Sequence, residues 1–166
     1  MPKLQLTLSV NGEQRELLID PRRTLLDVLR NQLDLRGTHR GCDTGNCGAC
    51  TVILDGRLVT SCMVLAADCD GAEVLTVEGV SPNGQLHPVQ RALVERGGIQ
   101  CGYCTPGMVM ASVALLNANP HPTEDEVRMG LAGNLCRCTG YKKIVEAVLA
   151  VAFEISRVVP EYPSFR

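Results

Sequence analysis

The sequence predicts an α+β protein in which a small sheet with one helix precedes a bundle of four helices. Two observations predict this order. Apolar and polar residues alternate along the N-terminal half, as in half-buried strands, whereas apolar residues in the C-terminal half recur with helical spacing. Turn-forming residues gather between the halves, at 80–85. We therefore expect one domain over 1–79, a second over 80–159 and a C-terminal tail over 160–166.

Two β-hairpins are predicted in the first domain. Asn11-Gly12 and Asp55-Gly56 each separate two strand-like segments, and both dipeptides favour the two-residue type I′ turn. A further strand-like segment follows the second hairpin. The expected strands span 4–10, 16–19, 51–54, 58–61 and 73–77.

One helix is expected between the hairpins. Asp20-Pro21 ends the second strand, and Thr24 can cap a helix whose apolar residues follow a period of 3.6. Those residues are Leu25, Val28, Leu29 and Leu33. Two strands, a helix, a loop and two further strands follow one another in the order of a β-grasp domain.

Helix start and stop signals divide the second domain into four short helices, which implies a compact bundle. Thr123 with Glu126 forms a capping box, and proline occurs at the start of two other helices. The expected helices run from Pro88 to Gly97, from Thr105 to Asn119, from Thr123 to about Gly133 and from Tyr141 to about Val158. Three methionines are expected to fill the core: Met108, Met110 and Met129.

The composition favours a soluble, cytoplasmic protein. The net charge of -2 over 166 residues gives no electrostatic basis for binding nucleic acid or an anionic membrane. The N-terminal residues lack the apolar run of a secretory signal, and the most apolar segment, 144–153, is too short to span a bilayer.

Nine cysteines are the most unusual feature of the chain. The number is odd, and a reducing cytoplasm disfavours structural disulfides, so clustered thiols indicate metal ligands. By position, eight of them fall into two groups. The first group is Cys42, Cys47, Cys50 and Cys62, and the second group is Cys101, Cys104, Cys136 and Cys138. Cys69 belongs to neither and is expected to be a small buried or half-exposed side chain.

The first group has the C-x4-C-x2-C spacing, with a distant fourth cysteine, of plant-type [2Fe–2S] ferredoxins. Three thiolates from one loop can converge only if the backbone folds back on itself, which Gly41, Gly45 and Gly48 allow. Amides that point inward can then donate hydrogen bonds to sulfur. A structural zinc site is the alternative, but its usual paired C-x2-C knuckles are only half present.

The second group combines C-x2-C with a later C-x-C, and each pair lies just before a predicted helix. Two adjacent helix N-termini would offer amide donors and positive dipole ends to anionic thiolates. C-x-C is unusual for zinc. Taken alone, this group leaves a zinc site and an iron–sulfur cluster as nearly equal alternatives.

Three motifs together resemble the iron–sulfur subunit of the molybdenum hydroxylase (xanthine oxidase) family, including the small subunits of carbon monoxide dehydrogenases. The motifs are GCDTGNCGACTV, QCGYCTPGM and GNLCRCTGY, and the similarity extends from the first strand to about Ala152. The resemblance implies a ferredoxin-like β-grasp domain and a helical domain, each with one [2Fe–2S] cluster held by one cysteine group.

The resemblance implies electron transfer, with no catalytic residue or substrate site on this chain. In the family, a large subunit oxidises the substrate at a molybdenum–pterin centre, here expected in its cytosine dinucleotide form, and a medium subunit carries FAD. Electrons pass through the helical-domain cluster and then the β-grasp cluster to FAD. A dimer of heterotrimers is the family's assembly. Similar motifs serve carbon monoxide, N-heteroaromatic, aldehyde and aromatic thioester substrates, so the selectivity lies in the large subunit.

Two residues are implied to lie beside the partner's pterin. Gln100 matches a glutamine that reaches the pterin in the family, and the sulfur of Cys138 matches one beside the pterin's amino group. An ordinary surface glutamine is the alternative for Gln100. For the whole chain, the alternatives are a free-standing ferredoxin, which would be isolated as a monomer, and a zinc-stabilised interaction module, which would be colourless.

Other polar residues near the motifs are weaker candidates. His39, His87 and His121 are expected to be surface or capping residues, because eight cysteines already supply the ligands. Arg40 and Arg137 each neighbour a cysteine segment and could offset thiolate charge or contact a partner.

Overall fold

The computed structural model describes residues 2–81 and 84–158, without the side chains of residues 155–158. The tail expected over 160–166 and part of 80–85 lie outside the described residues. Within the described ranges, a five-stranded sheet with one helix precedes four further helices, so the predicted α+β class is confirmed. None of the helices in these ranges is long and apolar enough to cross a bilayer.

Five strands form one mixed sheet. They are β1 (Leu4–Val10), β2 (Glu13–Ile19), β3 (Thr51–Leu54), β4 (Arg57–Thr60) and β5 (Glu73–Leu75). β1 pairs with β2 antiparallel and with β5 parallel, while β3 pairs antiparallel with both β5 and β4. The order β2-β1-β5-β3-β4 joins the two hairpins through the last strand, as in a β-grasp.

Both hairpin turns have the geometry that their dipeptides predicted. The φ angles are 55° and 82° at Asn11-Gly12 and 47° and 76° at Asp55-Gly56, as a type I′ turn requires. Because the first turn has only two residues, Val10 pairs directly with Glu13, and β2 begins there rather than at residue 16. Sequence alternation missed this start because the first half of β2 is polar and exposed on both faces.

β5 ends at Leu75, before its predicted end at residue 77. The Thr76 amide donates to Asn11 Oδ1 at 2.8 Å, and Asn11 Nδ2 donates to Thr76 Oγ1 at 3.0 Å. These side-chain bonds replace the strand-to-strand bonds that would extend β5, and they tie the first hairpin turn to the end of the sheet.

The helix α1 (Leu25–Asn31) packs against the sheet. Thr24 caps it as predicted, because Thr24 Oγ1 accepts from the Asp27 amide at 3.2 Å and the Asp27 carboxylate accepts from the Thr24 amide at 3.4 Å. Cys69 lies in the core beneath α1, fully buried on a short 3-10 turn that the sequence did not predict. Of the two expected alternatives, a small buried or a half-exposed side chain, the structure shows the buried one.

Four helices form the second unit: α2 (Pro88–Glu95), α3 (Thr105–Ala118), α4 (Glu124–Gly130) and α5 (Lys142–Val158). α3 is the central helix, because α2, α4 and strand β3 all pack around it. The predicted capping box of Thr123 and Glu126 is present, but α4 ends at Gly130 rather than near Gly133.

The methionines differ in their placement. Met108 and Met110 are buried in the helical core, as expected. Met129 is 75% exposed, so the expectation that it fills the core is wrong. Met129 follows the buried Val127 by two positions in α4, and residues at that spacing do not share a helix face.

A buried seam joins the two units, formed by Gly48 and Thr51 of the first and Gly107 and Asn134 of the second. Asn134 Nδ2 donates to Gly48 O at 2.9 Å and to Thr51 Oγ1 at 3.1 Å. Gly107 lies so close that a Cβ there would be 2.2 Å from Gly48 O. Ile53 of β3 also packs into the helical core, so the sheet and the helices share apolar contacts.

Gly107→Ala is expected to destabilise the protein by about 1–3 kcal/mol. Alanine would raise helix propensity by about 1 kcal/mol, but its Cβ would meet the main-chain oxygen of Gly48, which cannot move without breaking the seam. Gly133→Ala is the matched control, because a Cβ there meets nothing within 4 Å. Thermal unfolding should show a lowered midpoint for Gly107→Ala alone. Equal midpoints for the two variants would contradict a close-packed seam.

Candidate metal centres

The first cysteine group lies on the loop between α1 and β3 and on the turn after β4. Cys42, Cys47 and Cys50 are on the loop, and Cys62 is on a 3-10 turn, Ser61–Met63. Cys50 and Cys62 are buried against a leucine of α1, whereas Cys42 and Cys47 are partly exposed. Cys62 lies near Cys50 and Cys42, and Cys42 lies near Cys47, so the structure brings together the four residues that the spacing predicted.

The backbone of this loop turns amide groups toward sulfur. Asp43 and Gly45 have φ of 55° and 75°, in the left-handed region. The Thr44 amide donates to Cys42 Sγ at 3.4 Å, and the Gly45 amide donates to the sulfur of Cys62. The inward-pointing amides expected from the sequence are therefore present at two of the four sulfurs.

The four thiols of the first group associate in two pairs. Cys47 neighbours the thiol of Cys42, and Cys50 neighbours that of Cys62, closely enough to shift the pKa of each. Gly41 leaves room for the first pair, because a Cβ at that position would lie 2.6 Å from Cys47 Sγ. Any side chain at residue 41 would displace the sulfur.

The second cysteine group comes from two segments of the helical unit. Cys101 and Cys104 precede α3, with Cys104 as its N-cap residue, while Cys136 and Cys138 lie between α4 and α5. The sulfurs of Cys101 and Cys138 are 3.4 Å apart, and Cys104 hydrogen-bonds with Cys136. Each pair therefore takes one cysteine from each segment. The pair of Cys101 and Cys138 is exposed, and the pair of Cys104 and Cys136 is partly buried.

Some thiol environments favour the charged thiolate, and others favour the neutral thiol. Hydrogen bonds from the side chain and amide of Thr44 lower the pKa of Cys42 to about 6. Burial raises the pKa of Cys62 to about 11 and that of Cys104 to about 12, and the neighbouring thiols add to both shifts. Metal binding requires thiolates, so a cation at the buried thiols would have to displace protons that burial retains.

Thr139 and Tyr141 support the partly buried pair. The Cys136 amide donates to Tyr141 Oη at 2.8 Å, and Cys136 Sγ lies 3.1 Å from Thr139 Oγ1. Tyr141 has φ of 68°, which is uncommon for a bulky residue and orients this segment. Sequence reasoning missed both residues, although the TGY that directly follows the C-x-C motif was an available signal.

Both groups face one cavity of about 280 Å³. Two cysteines of the first group and all four of the second line it: Cys42, Cys47, Cys101, Cys104, Cys136 and Cys138. The Leu135 amide donates to Cys47 O at 2.9 Å, which joins the first loop to the residue before Cys136. The two candidate centres are therefore neighbours.

Charged and amide side chains around the centres have distinct positions. Gln100 is exposed and precedes the exposed thiol of Cys101. Arg137 lines the cavity. The guanidinium of Arg40 forms ion pairs with Asp27 and Asp43, so carboxylates balance its charge.

The histidines occupy other places in the fold. His39 stacks on Tyr103 with the ring centroids 4.7 Å apart, and its Nδ1 donates to Tyr103 O at 2.8 Å. His87 is the N-cap of α2, with Nδ1 accepting from the Val89 amide at 3.2 Å. His121 is exposed. Among the described residues, the lining of the cavity contains no histidine.

The donor set of each group fits a [2Fe–2S] cluster. Four soft thiol ligands are available in two pairs, with amide hydrogens directed at sulfur. Within residues 2–81 and 84–158, no three cysteine, histidine, aspartate or glutamate side chains converge as ligands of a single metal ion. The thiols associate two by two instead.

Comparison with known proteins extends this correspondence to most of the chain. Residues 8–76 match the 2Fe-2S iron-sulfur cluster binding domain family, and residues 76–149 match the [2Fe-2S] binding domain family. The nicotinate dehydrogenase small FeS subunit of Eubacterium barkeri is 47% identical over 148 residues, 89% of this chain and 94% of that protein. The nicotine 6-hydroxylase small subunit of Paenarthrobacter nicotinovorans is 50% identical over 147 residues, 89% of this chain and 88% of that protein.

A solved structure agrees with these relatives. The crystal structure of quinoline 2-oxidoreductase from Pseudomonas putida 86 contains a chain that superposes with a TM-score of 0.90 at 40% identity, covering 95% of this chain and 98% of that one. The chain therefore belongs to the iron–sulfur small subunits of the molybdenum hydroxylase (xanthine dehydrogenase) family, and it is a 2Fe-2S electron-transfer subunit of an oxidoreductase complex.

Proposed function

We propose that this chain carries two [2Fe–2S] clusters and conducts electrons from a molybdenum–pterin centre on a large subunit to FAD on a medium subunit. Each cysteine group would hold one cluster. The carrying observation is that the eight thiols associate in four pairs, two pairs in each group. Each iron of a [2Fe–2S] cluster takes two protein ligands, so one pair supplies one iron. When bound, a cluster accepts and releases one electron at a time.

The pairing also favours a cluster over a structural zinc ion. A zinc ion held by cysteines alone needs four thiolates around one point. In the second group, Cys101 is paired with Cys138 and Cys104 with Cys136, and each pair joins one cysteine from each segment. This arrangement supports the iron–sulfur alternative for the group whose spacing alone did not decide between them.

The exposure of the thiols supports a direction for electron entry. The pair of Cys101 and Cys138 is exposed, with Gln100 beside it, so a pterin held by a partner could approach that pair. All four thiols of the second group line the cavity that Cys42 and Cys47 also line, and within that group Cys104 and Cys136 are the less exposed pair. Electrons would therefore enter at the second group and leave through the first.

Substrate oxidation is assigned to the partners. The names of the relatives describe small subunits, which supports a complex that also contains a large and a medium subunit. We expect the assembly of the family, a dimer of heterotrimers. The pterin would be in its cytosine dinucleotide form. A free-standing ferredoxin is the second candidate, but it does not account for a second cysteine group with an exposed pair.

Electron paramagnetic resonance of the dithionite-reduced protein tests the proposal directly. We expect two distinguishable [2Fe–2S] signals and about four irons and four labile sulfides per chain. Each cysteine group would contribute one signal, because each offers two thiol pairs. One signal with half the iron would leave one group without a cluster, and zinc in place of iron would refute the electron-transfer function.

Cys104→Ala is expected to remove one cluster and leave the other. The variant should retain about two irons per chain and one signal, because the thiols of the first group are untouched. Cys69→Ala is the matched control, since Cys69 is a buried cysteine outside both groups and its loss should leave the iron content unchanged. Two undiminished signals in Cys104→Ala would show that Cys104 is not a ligand.

Gln100→Ala is expected to slow reduction of the iron–sulfur subunit by substrate in the assembled complex. The amide is exposed beside the pair at which electrons would enter, so its loss would weaken positioning of the pterin. Single-turnover reduction and pterin content would be measured together, with Gln14→Ala on the exposed part of β2 as control. Unchanged reduction and unchanged pterin binding would refute the role of Gln100.

A further inference from the structure

A second attachment between the two units lies outside the buried seam. It consists of His39 and Arg40, which precede the first cysteine loop, and Tyr103, which stands between Cys101 and Cys104. We call these three residues the clasp. We propose that the clasp is a positioning device that holds the second cysteine group against the first and thereby sets the electronic coupling between the two centres. This inference rests on the proposed function.

Tyr103 contacts the first unit in three ways. Its hydroxyl donates to Arg40 O at 2.5 Å, its carbonyl accepts from His39 Nδ1 at 2.8 Å, and its ring stacks on the His39 ring with an interplanar angle of 29°. Both its main chain and its side chain are therefore attached, although the residue is 51% exposed. An exposed tyrosine between two cysteine ligands would otherwise be free to turn with its loop.

The acceptor of the tyrosine hydroxyl is itself fixed. The guanidinium of Arg40 binds Asp43 Oδ1 and Oδ2 at 2.7 Å and also binds Asp27 Oδ1. Asp27 belongs to the capping box of α1, so the clasp connects the turn of Cys101 and Cys104 to a helix of the first unit. A network of this kind transmits position, because each member is held by more than one bond.

The clasp and the seam hold the first cysteine loop at both ends. The clasp acts before Cys42, through Arg40, and the seam acts after Cys47, through Gly48. The seam and the Leu135–Cys47 bond hold the two units together near Gly48, and the clasp adds a hold on the turn of Cys101 and Cys104 on the other side of the loop. The cavity that both groups line lies between these segments, since Tyr103 and Cys47 both contribute to its wall.

The test compares Tyr103→Phe, His39→Phe and the double variant in the full-length, cluster-loaded protein. Each single variant keeps an aromatic ring for stacking and removes one hydrogen-bond donor, so the ring contact is retained. His121→Phe is the control, because it makes the same exchange at an exposed position between α3 and α4. Iron content, spin–spin splitting in the fully reduced protein and the rate of electron equilibration between the clusters would be measured.

We expect the double variant to retain its iron but to lose the spin–spin splitting and to equilibrate electrons several-fold more slowly. Tyr103→Phe and His39→Phe should show smaller losses of the same kind, and they carry the comparison if the double variant binds less iron. A merely structural role would lower the unfolding midpoint without changing the splitting. Splitting and rates equal to those of the wild type in loaded variants would overturn the inference, whereas absence of two signals in the wild type would instead refute the proposed function.

Discussion

The main-chain contact between Gly48 and Gly107 is the constraint on which the arrangement of the cysteines depends. Gly48 lies between Cys47 and Cys50, and Gly107 lies in the first turn of the helix that Cys104 caps. A Cβ at Gly107 would lie 2.2 Å from Gly48 O, and a Cβ at Gly48 would lie 2.3 Å from Gly133 O, so the loop touches two backbone segments of the second unit. Both positions need glycine, because a side chain at either one would meet a main-chain oxygen of the other unit.

The same contact explains why a buried asparagine is tolerated at the boundary. A buried side-chain amide is costly unless its hydrogen bonds are made. Asn134 makes two of them across the boundary, to Gly48 O and Thr51 Oγ1, and both acceptors come from the first unit. Its polarity is therefore satisfied only when the two units are docked in this register, which makes Asn134 a source of specificity as well as of stability.

Turns and helix caps that depend on neighbouring residues could be predicted from the sequence. Strand ends that depend on contacts between distant residues could not. Asn11-Gly12 and Thr24 act on neighbouring residues, so the first hairpin and the cap of α1 followed from sequence. The end of β5 did not, because it is set by bonds between Asn11 and Thr76, whose separation in the chain is 65 residues. Met129 was assigned to the wrong face because a short amphipathic helix offers little periodicity from which to choose.

For the cysteines too, the sequence predicted what depends on neighbouring residues and missed what depends on long-range contacts. Their spacing sorted eight of them into two groups, because three ligands on one loop have to be close in sequence. Spacing could not give the crossed pairing of the second group, since Cys101 and Cys138 meet only after α3 and α4 have folded between them. Tyr103 and Asn134 were missed for a related reason: neither is a ligand type, and their partners belong to the other unit.

The loop that carries Cys42, Cys47 and Cys50 is hydrogen-bonded to the segment that carries Cys136 and Cys138. This first loop has left-handed residues at Asp43, Gly45 and Gly48 and lies outside regular secondary structure, so few of its own bonds hold it. Its carbonyl at Cys47 accepts from Leu135, and its carbonyl at Gly48 accepts from Asn134 as well as from Thr51, so the segment that carries Cys136 contributes to holding the loop. The bonds from Leu135 and Asn134 therefore support the first loop and bring the two cysteine segments together at the same time.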